Sequence, residues 1–223
     1  MEIKEIGHLR TQFKTKFGVP RQSGAVKSSL ATLVFSPEYR VKEALRGLEE
    51  FSHIWVIWGF NKAEYKEFSP TVRPPRLGGN TRVGVFASRS PFRPNSLGLS
   101  LLKLDAIEKT ENEGYVLRLS GADMMDGTPV YDIKPYLPQF ESIENASGGF
   151  STSLDDYILN VNIPKELCHK LTECQLLCLK EALSQDPRPS YIDTPSRVFG
   201  FPFENFEVKF KVEGKELFVI SIE

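Results

Sequence analysis

Three loops of this 223-residue chain carry side chains able to do chemistry. The first is Gly121-Ala122-Asp123-Met124-Met125-Asp126-Gly127-Thr128-Pro129. Two carboxylates three residues apart, in a glycine-bounded turn after a strand, can hold a cation or a ribose, or take a proton. Asp123 and Asp126 are therefore candidate catalytic residues, although an Asp-rich turn also caps its own backbone amides with no ligand involved. The second loop region is Val72-Arg73-Pro74-Pro75-Arg76-Leu77-Gly78-Gly79-Asn80, followed by Ala87-Ser88-Arg89-Ser90-Pro91-Phe92-Arg93-Pro94-Asn95. Proline stiffens both segments, so Arg73, Arg76 and Arg93 lose less entropy on meeting phosphates, and Phe92, two residues before Pro94-Asn95, is placed to stack on a base. Guanidinium groups around an aromatic ring suit single-stranded RNA or an anticodon loop; the competing reading is that these arginines cap strand ends. The third is Phe17-Gly18-Val19-Pro20-Arg21-Gln22-Ser23-Gly24, whose glycines and proline either offer unpaired amides to a ligand or form a plain surface loop.

Charge supports a polyanionic partner. Residues 1–103 hold 17 Lys and Arg against 8 Asp and Glu, and residues 104–223 hold 11 against 21, so a net charge of −1 conceals a strong polarity. No carboxylate occurs from Phe68 to Leu104, a stretch that contains Arg73, Arg76, Arg82, Arg89, Arg93 and Lys103. A basic strand face neutralised by the acidic half is the alternative.

Other chemistries lack their residues. Cys168, His169, Cys174 and Cys178 invite a zinc reading, but the cysteines lie on the apolar side of a helical pattern without C-x-x-C spacing, so packing accounts for them and no metal is expected. His53 and His8 read as strand residues, and without a Gly-x-Ser-x-Gly elbow a nucleophile triad has little support. Neither a Gly-x-Gly-x-x-Gly nor a P-loop motif is present, so any cofactor must sit on a β scaffold. No apolar run approaches the roughly 18 to 20 residues of a membrane span. The first residues lack a secretory pattern, and an odd number of cysteines fits a reducing compartment, so the cytoplasm is the expected address.

The elements that must position these loops are mostly strands. With 40% hydrophobic and 26% charged residues the chain can bury one good core or two modest ones. Residues 2–10, 28–35, 53–60, 82–88, 98–107, 115–120 and 128–133 read as strands, with a hairpin turn at Asn112-Glu113-Gly114. One helix is expected after Ser36-Pro37, with Val41, Ala44, Leu45 and Leu48 as its apolar stripe and Gly47 near its end. Many short strands and few helices imply a closed or folded-over antiparallel sheet. The small, polar stretch Asn145-Ala146-Ser147-Gly148-Gly149 marks a boundary, dividing the chain into 1–143, a linker 144–153, and 154–223. In the last part, residues 164–183 read as one helix with two apolar stripes and hence two partners, and 205–212 with 215–222 as a closing hairpin.

At these loops the sequence resembles the TrmO (TsaA/YaeB) family of tRNA methyltransferases. The resemblance runs through Ile6-Gly7-His8-Leu9-Arg10, Phe17-Gly18-Val19-Pro20-Arg21-Gln22, Phe51-Ser52-His53-Ile54-Trp55, the 72–80 segment, Phe92-Arg93-Pro94-Asn95 and Asp126-Gly127-Thr128-Pro129. A weaker likeness in the last part rests on Asp186-Pro187-Arg188-Pro189-Ser190-Tyr191. It implies a mainly β protein: a single-sheeted antiparallel β-barrel that binds S-adenosylmethionine, with a smaller α+β C-terminal domain. It implies methylation of N6 of threonylcarbamoyladenosine at tRNA position 37, by a homodimer. Carried onto matching positions, Ser23, Gly24, Ala25, Asn61, Lys62, Arg89, Asp123, Met124, Met125 and Asp126 would line the cofactor pocket. Arg89 would orient the nucleoside or the cofactor carboxylate at the catalytic centre, and Arg73, Arg76, Phe92, Arg93 and Asn95 would hold the substrate. The family's Arg-Pro-Asn-Pro-Ile-Gly reads Arg93-Pro94-Asn95-Ser96-Leu97-Gly98 here, losing one stiffening proline. The rival class is a barrel that grips tRNA or an adenine nucleotide without transferring anything.

Overall fold

The computed structural model describes residues 2–60, 68–74, 77, 80–154, 157–188 and 197–223. Its first two thirds contain β1 (Gly7–Thr11), β2 (Leu30–Phe35), β3 (His53–Gly59), the short β4 (Thr71–Val72) and β5 (Val83–Gly84), then β6 (Leu97–Thr110), β7 (Gly114–Ser120) and β8 (Thr128–Pro135). Six of these close into an antiparallel barrel in the order β1-β2-β7-β6-β3-β8, while β4 and β5 pair with each other. Period-two alternation drives closure. In β3, Ile54, Val56 and Trp58 are buried and His53, Trp55 and Ile57 are half-exposed. Leu9, Leu33, Leu102, Leu117, Leu119 and Val130 fill the same interior. A register shift sets Ile57 opposite Asp132 but Trp58 opposite Val130, re-aiming the end of β3.

After α1 (Pro138–Glu141), the C-terminal part comprises β9 (Asn160–Asn162), α2 (Lys165–Cys168), α3 (Glu173–Ser184), β10 (Phe199–Phe203), β11 (Phe206–Glu213) and β12 (Glu216–Ile222). Its sheet runs β10-β11-β12-β9, with β9 parallel to β12. Phe201, Phe203, Val208, Phe210 and Leu217 face Cys178, Leu179, Ala182 and Leu183 across a second core. That core also takes the fully buried Phe13 and Val26 from the segment between β1 and β2, with Phe17 and Val19 packed against it. The loop 17–24 is thus anchored by C-terminal aromatics, Phe17 stacking on Phe199 at 6.3 Å between centroids.

Three expectations are corrected. The strand read over 82–88 stops at Gly84, because Val85–Ala87 coil into a single 3-10 turn closed by both the N–H and the hydroxyl of Ser88 on the Val85 carbonyl. The helix read after Ser36 is three separate 3-10 turns, Pro37–Tyr39, Lys42–Leu45 and Leu48–Glu50. Ser36 makes no side-chain cap there, Val41 is extended, and Gly47 takes φ +84 before the last turn. The helix read over 164–183 breaks into α2 and α3, because Thr172 and Gln175 form a reciprocal capping box that starts a new helix. Its two stripes converge on one buried face, Cys178, Leu179, Ala182 and Leu183, while Cys174 and Leu177 are exposed. Burial pushes the Cys178 thiol up to about 12, so it is an inert core residue. Among the described residues no three of His, Cys, Asp or Glu group to hold a metal, and no helix is long and apolar enough to cross a membrane.

Candidate active site

The barrel end where β3 finishes, β6 begins, β7 exits and β8 starts opens into a cleft of about 770 Å³. Its wall carries Trp58 and Phe60 from the end of β3, Gly98 and Ser100 from β6, Asp123, Met124 and Met125 from the turn after β7, and Thr128 from β8. The loop 17–24 contributes Val19, Pro20, Arg21 and Gln22, and the 88–93 segment contributes Ser88, Arg89, Phe92 and Arg93. Two of the three chemically equipped loops therefore meet one edge of the third.

The acidic turn is laced to β1. Asp126 N–H donates to the Phe13 carbonyl and Gly127 N–H to the Leu9 carbonyl, both at 2.8 Å, while the Thr11 hydroxyl donates to the Met124 carbonyl at 3.0 Å. Asp126 Oδ1 itself accepts the Thr11 N–H at 3.0 Å, and Asp126 is not on the cleft wall. Asp123 is, and among the described lining residues it is the one carboxylate. It accepts the Ser100 hydroxyl at 2.6 Å, and Ser100 accepts the Trp58 indole N–H at 3.0 Å. Burial raises the Asp123 carboxyl above its ordinary range; the Ser100 hydroxyl, the N–H groups of Asp123 and Ser23, and the Arg89 charge work against that rise without cancelling it.

Arg89 Nη1 donates to Gln22 Oε1 at 2.8 Å, which ties the arginine-bearing segment to the 17–24 loop. Gly24 N–H donates to the Gly121 carbonyl at 2.9 Å, docking the same loop on the acidic turn. Ser23 reaches Asp123 through its backbone, and Ala25 N–H closes a turn on the Gln22 carbonyl at 3.2 Å. Arg93 Nη1 donates to the Ser88 carbonyl at 2.9 Å with its guanidinium 5.9 Å from the centre of the exposed Phe86 ring. Ser96, where the resemblance leads one to expect proline, donates its hydroxyl to the Pro91 carbonyl at 2.9 Å, a hydrogen bond that stiffens the same segment.

Of the sequence candidates, Arg89, Phe92, Arg93, Asp123, Met124 and Met125 share the cleft, Ser23, Gly24 and Ala25 sit behind the acidic turn, and Arg73, Asn95 and Asp126 are not on its wall. Asn61, Lys62 and Arg76 lie outside the described residues. Trp58, Phe60 and Ser100 were missed. A serine between Gly98 and Leu102 on an inward strand face was the available signal, since a polar residue at a core position asks for a partner. Chemically, a half-buried carboxylate faces a space whose wall includes aromatics, methionines and arginines. That combination suits a ligand with a flat ring and a positive charge, beside a polyanion.

Family models for the tRNA-methyltransferase O N-terminal domain and the TrmO C-terminal domain match residues 8–142 and 156–223. The tRNA (adenine(37)-N6)-methyltransferase of Escherichia coli (strain K12) is 39% identical over 230 residues, covering 100% of this chain and 97% of that protein. A probable S-adenosyl-L-methionine-binding protein of Pyrococcus abyssi (strain GE5 / Orsay) is 39% identical over 147 residues, 66% of this chain and 74% of that one. The crystal structure of TrmO from Pseudomonas aeruginosa superposes with a TM-score of 0.80 at 29% identity, over 100% of this chain and 98% of that chain.

Proposed function

The chain belongs to the tRNA-methyltransferase O family, and on that premise we propose that it is an S-adenosylmethionine-dependent tRNA (adenine(37)-N6)-methyltransferase. The observation that carries this reading is Asp123, a carboxylate whose pKa burial raises, on the wall of a cleft shared with Arg89 and Arg93. A cleft of about 770 Å³ is in the range, roughly 300 to 1,000 Å³, of small-molecule sites. The residues present fit the cofactor: Asp123 for its positive charge, Trp58 and Phe60, 4.3 Å apart, for a flat base, and Met124 and Met125 for its apolar parts. Bound there, S-adenosylmethionine supplies an electrophilic methyl group on a sulfonium.

The nucleophile is the N6 nitrogen of threonylcarbamoyladenosine at position 37, whose lone pair is delocalised into a urea-like group and attacks poorly. The protein's task is alignment and charge. Asp123 lies where it stabilises positive charge and takes the proton that N6 loses. Arg89, fixed by Gln22, orients the nucleoside or a carboxylate, and Phe92 and Arg93 hold the anticodon loop, with Arg73, Arg76 and Asn95 on its outer backbone. Asp126 serves as the turn's anchor on Thr11, and Ser23, Gly24 and Ala25 back the acidic turn. The division into a catalytic barrel (1–143), a linker (144–153) and a C-terminal α+β domain (154–223) belongs to the same reading, as does a cytoplasmic address.

A homodimer completes it. The outward-facing Trp55 and half-exposed Leu99 reach the cleft rim, and Phe140 and Ile143 near Trp55's partner Glu141 are exposed, an apolar strip suited to a second copy. Leu99→Glu is expected to yield monomers by sedimentation. For the reaction, tRNA from cells lacking this protein is incubated with it and S-adenosylmethionine, and its nucleosides are read by mass spectrometry. Methylated threonylcarbamoyladenosine is the expected product; tight cofactor and tRNA binding with no methylated nucleoside would make the chain a binding module instead.

A further inference from the structure

We propose that Ser100 and Trp58 are positioning residues that hold Asp123 in the carboxylate form and in one orientation. The inference rests on the reading that Asp123 serves methyl transfer. An indole N–H can only donate, so the 3.0 Å contact from Trp58 Nε1 obliges Ser100 Oγ to accept. A serine hydroxyl has one proton, and its remaining partner is Asp123 Oδ1 at 2.6 Å, a length characteristic of O–H···O⁻ bonds. The direction of the chain is thereby fixed from Trp58 to Asp123. The backbone amides of Asp123 and Ser23 favour the charged form of the same carboxylate, and Arg89 adds positive charge. In this arrangement every neighbour so identified presents a donor or a positive charge to Asp123, which favours its ionised form.

The framework has little freedom to rearrange. Trp58 and Gly98 face each other across the β3–β6 ladder, as do Val56 and Ser100, so Trp58 and Ser100 are diagonal neighbours on the inner face. A Cβ on Gly98 would stand 2.2 Å from the indole, so the missing side chain is what lets the ring lie on β6 within reach of Ser100. Ser100 is 1% exposed and Trp58 7%, so packing holds both side chains in place. Among the described residues, the charged groups on the cleft wall with Asp123 are Lys16, Arg21, Arg89 and Arg93, of which Arg89 is the one whose field acts on it. Burial pushes the Asp123 pKa up, and the relay opposes that rise.

The test begins with ligand-free protein. The Asp123 carboxyl carbon, labelled with ¹³C and assigned by its loss in Asp123→Asn, is titrated in wild type, Ser100→Ala and Trp58→Phe. The midpoint is expected to move upward in Ser100→Ala and, by less, in Trp58→Phe, which keeps the ring and loses only the N–H. Turnover at mildly acidic pH is expected to fall about tenfold or more in Ser100→Ala, recovering as pH rises, with KM for tRNA unchanged. Midpoints unmoved in both variants would overturn the relay, and should Ser100→Ala fail to fold, Trp58→Phe decides alone. Full turnover in Asp123→Asn would instead remove the catalytic reading of Asp123, leaving the titration to judge the relay by itself.

Discussion

Asp126 Oδ1 accepts the Thr11 N–H at 3.0 Å, whereas three residues earlier Asp123 meets the cleft with a pKa raised by burial. The two carboxylates therefore separate experimentally. Asp126→Ala leaves a half-buried N–H without its acceptor and is expected to cost about 1 to 3 kcal/mol of stability, while Asp126→Asn, which keeps an acceptor oxygen, costs less. Asp123→Asn is expected to abolish turnover while the fold persists. Chemical denaturation beside initial rates checks both, and an Asp126→Asn protein that is fully stable yet inactive would return Asp126 to the chemistry. The raised Asp123 pKa also has a thermodynamic sign. Its contribution to stability is fully present below the unfolded carboxyl pKa and is lost as pH rises through the folded value. The melting temperature of wild type relative to Asp123→Asn is accordingly expected to decline from acidic to neutral pH; a flat difference would contradict the burial argument. Sequence spacing identified the acidic turn but could not divide labour within it, because which oxygen meets which amide depends on β1 lying alongside, a contact between residues more than 110 positions apart.

At the scale of elements, the site depends on how β3 and β6 share their inner face. Gly98 makes room for Trp58, and the bulge opposite Ile57 and Trp58 turns the strand end into the cleft. Gly98→Ala is expected to push the indole off Ser100, lowering stability by about 1 to 3 kcal/mol and depressing turnover more than an alanine on the exposed side of β6 would. Near-ultraviolet circular dichroism of the tryptophans, read beside kcat, checks it; an unchanged spectrum would mean the ring has another place to go. The strands of the barrel were legible because alternation repeats along each one, as in Ile54, Val56 and Trp58. What was not legible were the places where a side chain competes with the backbone ladder. Ser88 curls the chain after β5, Thr172 restarts a helix at α3, and Arg40 Nε, donating to the Phe35 carbonyl at 2.8 Å, ties its 3-10 turn back to β2. Each is a polar contact whose partner periodicity does not reveal.

At the scale of the molecule, the C-terminal core and the cleft share one piece of chain. Phe13, Phe17, Val19 and Val26 pack into the C-terminal core, and the loop they frame presents Arg21 and Gln22 to the cleft. Arg21 Nη2 donates to the carbonyls of Asp186 at 2.7 Å and Arg188 at 3.5 Å, and those carbonyls are held in place by the side-chain pair Arg188–Asp186 at 2.8 Å, of which both partners are largely buried. Gln22 in turn fixes Arg89. The C-terminal part is thus connected to the cleft through a chain of packing and hydrogen-bond contacts. Arg188→Met removes one partner of a buried pair and is expected to cost several kcal/mol, roughly 3 to 5 for such pairs, much of it from stranding Asp186. If the connection transmits to the site, cofactor affinity measured by calorimetry falls as well, and the losses in Arg21→Ala and Arg188→Met are non-additive when the two are combined. Lowered melting temperature with unaltered cofactor affinity in Arg188→Met, or strictly additive losses in the double variant, would confine the C-terminal part to stabilising itself, and the 17–24 loop would then owe its position to the barrel alone.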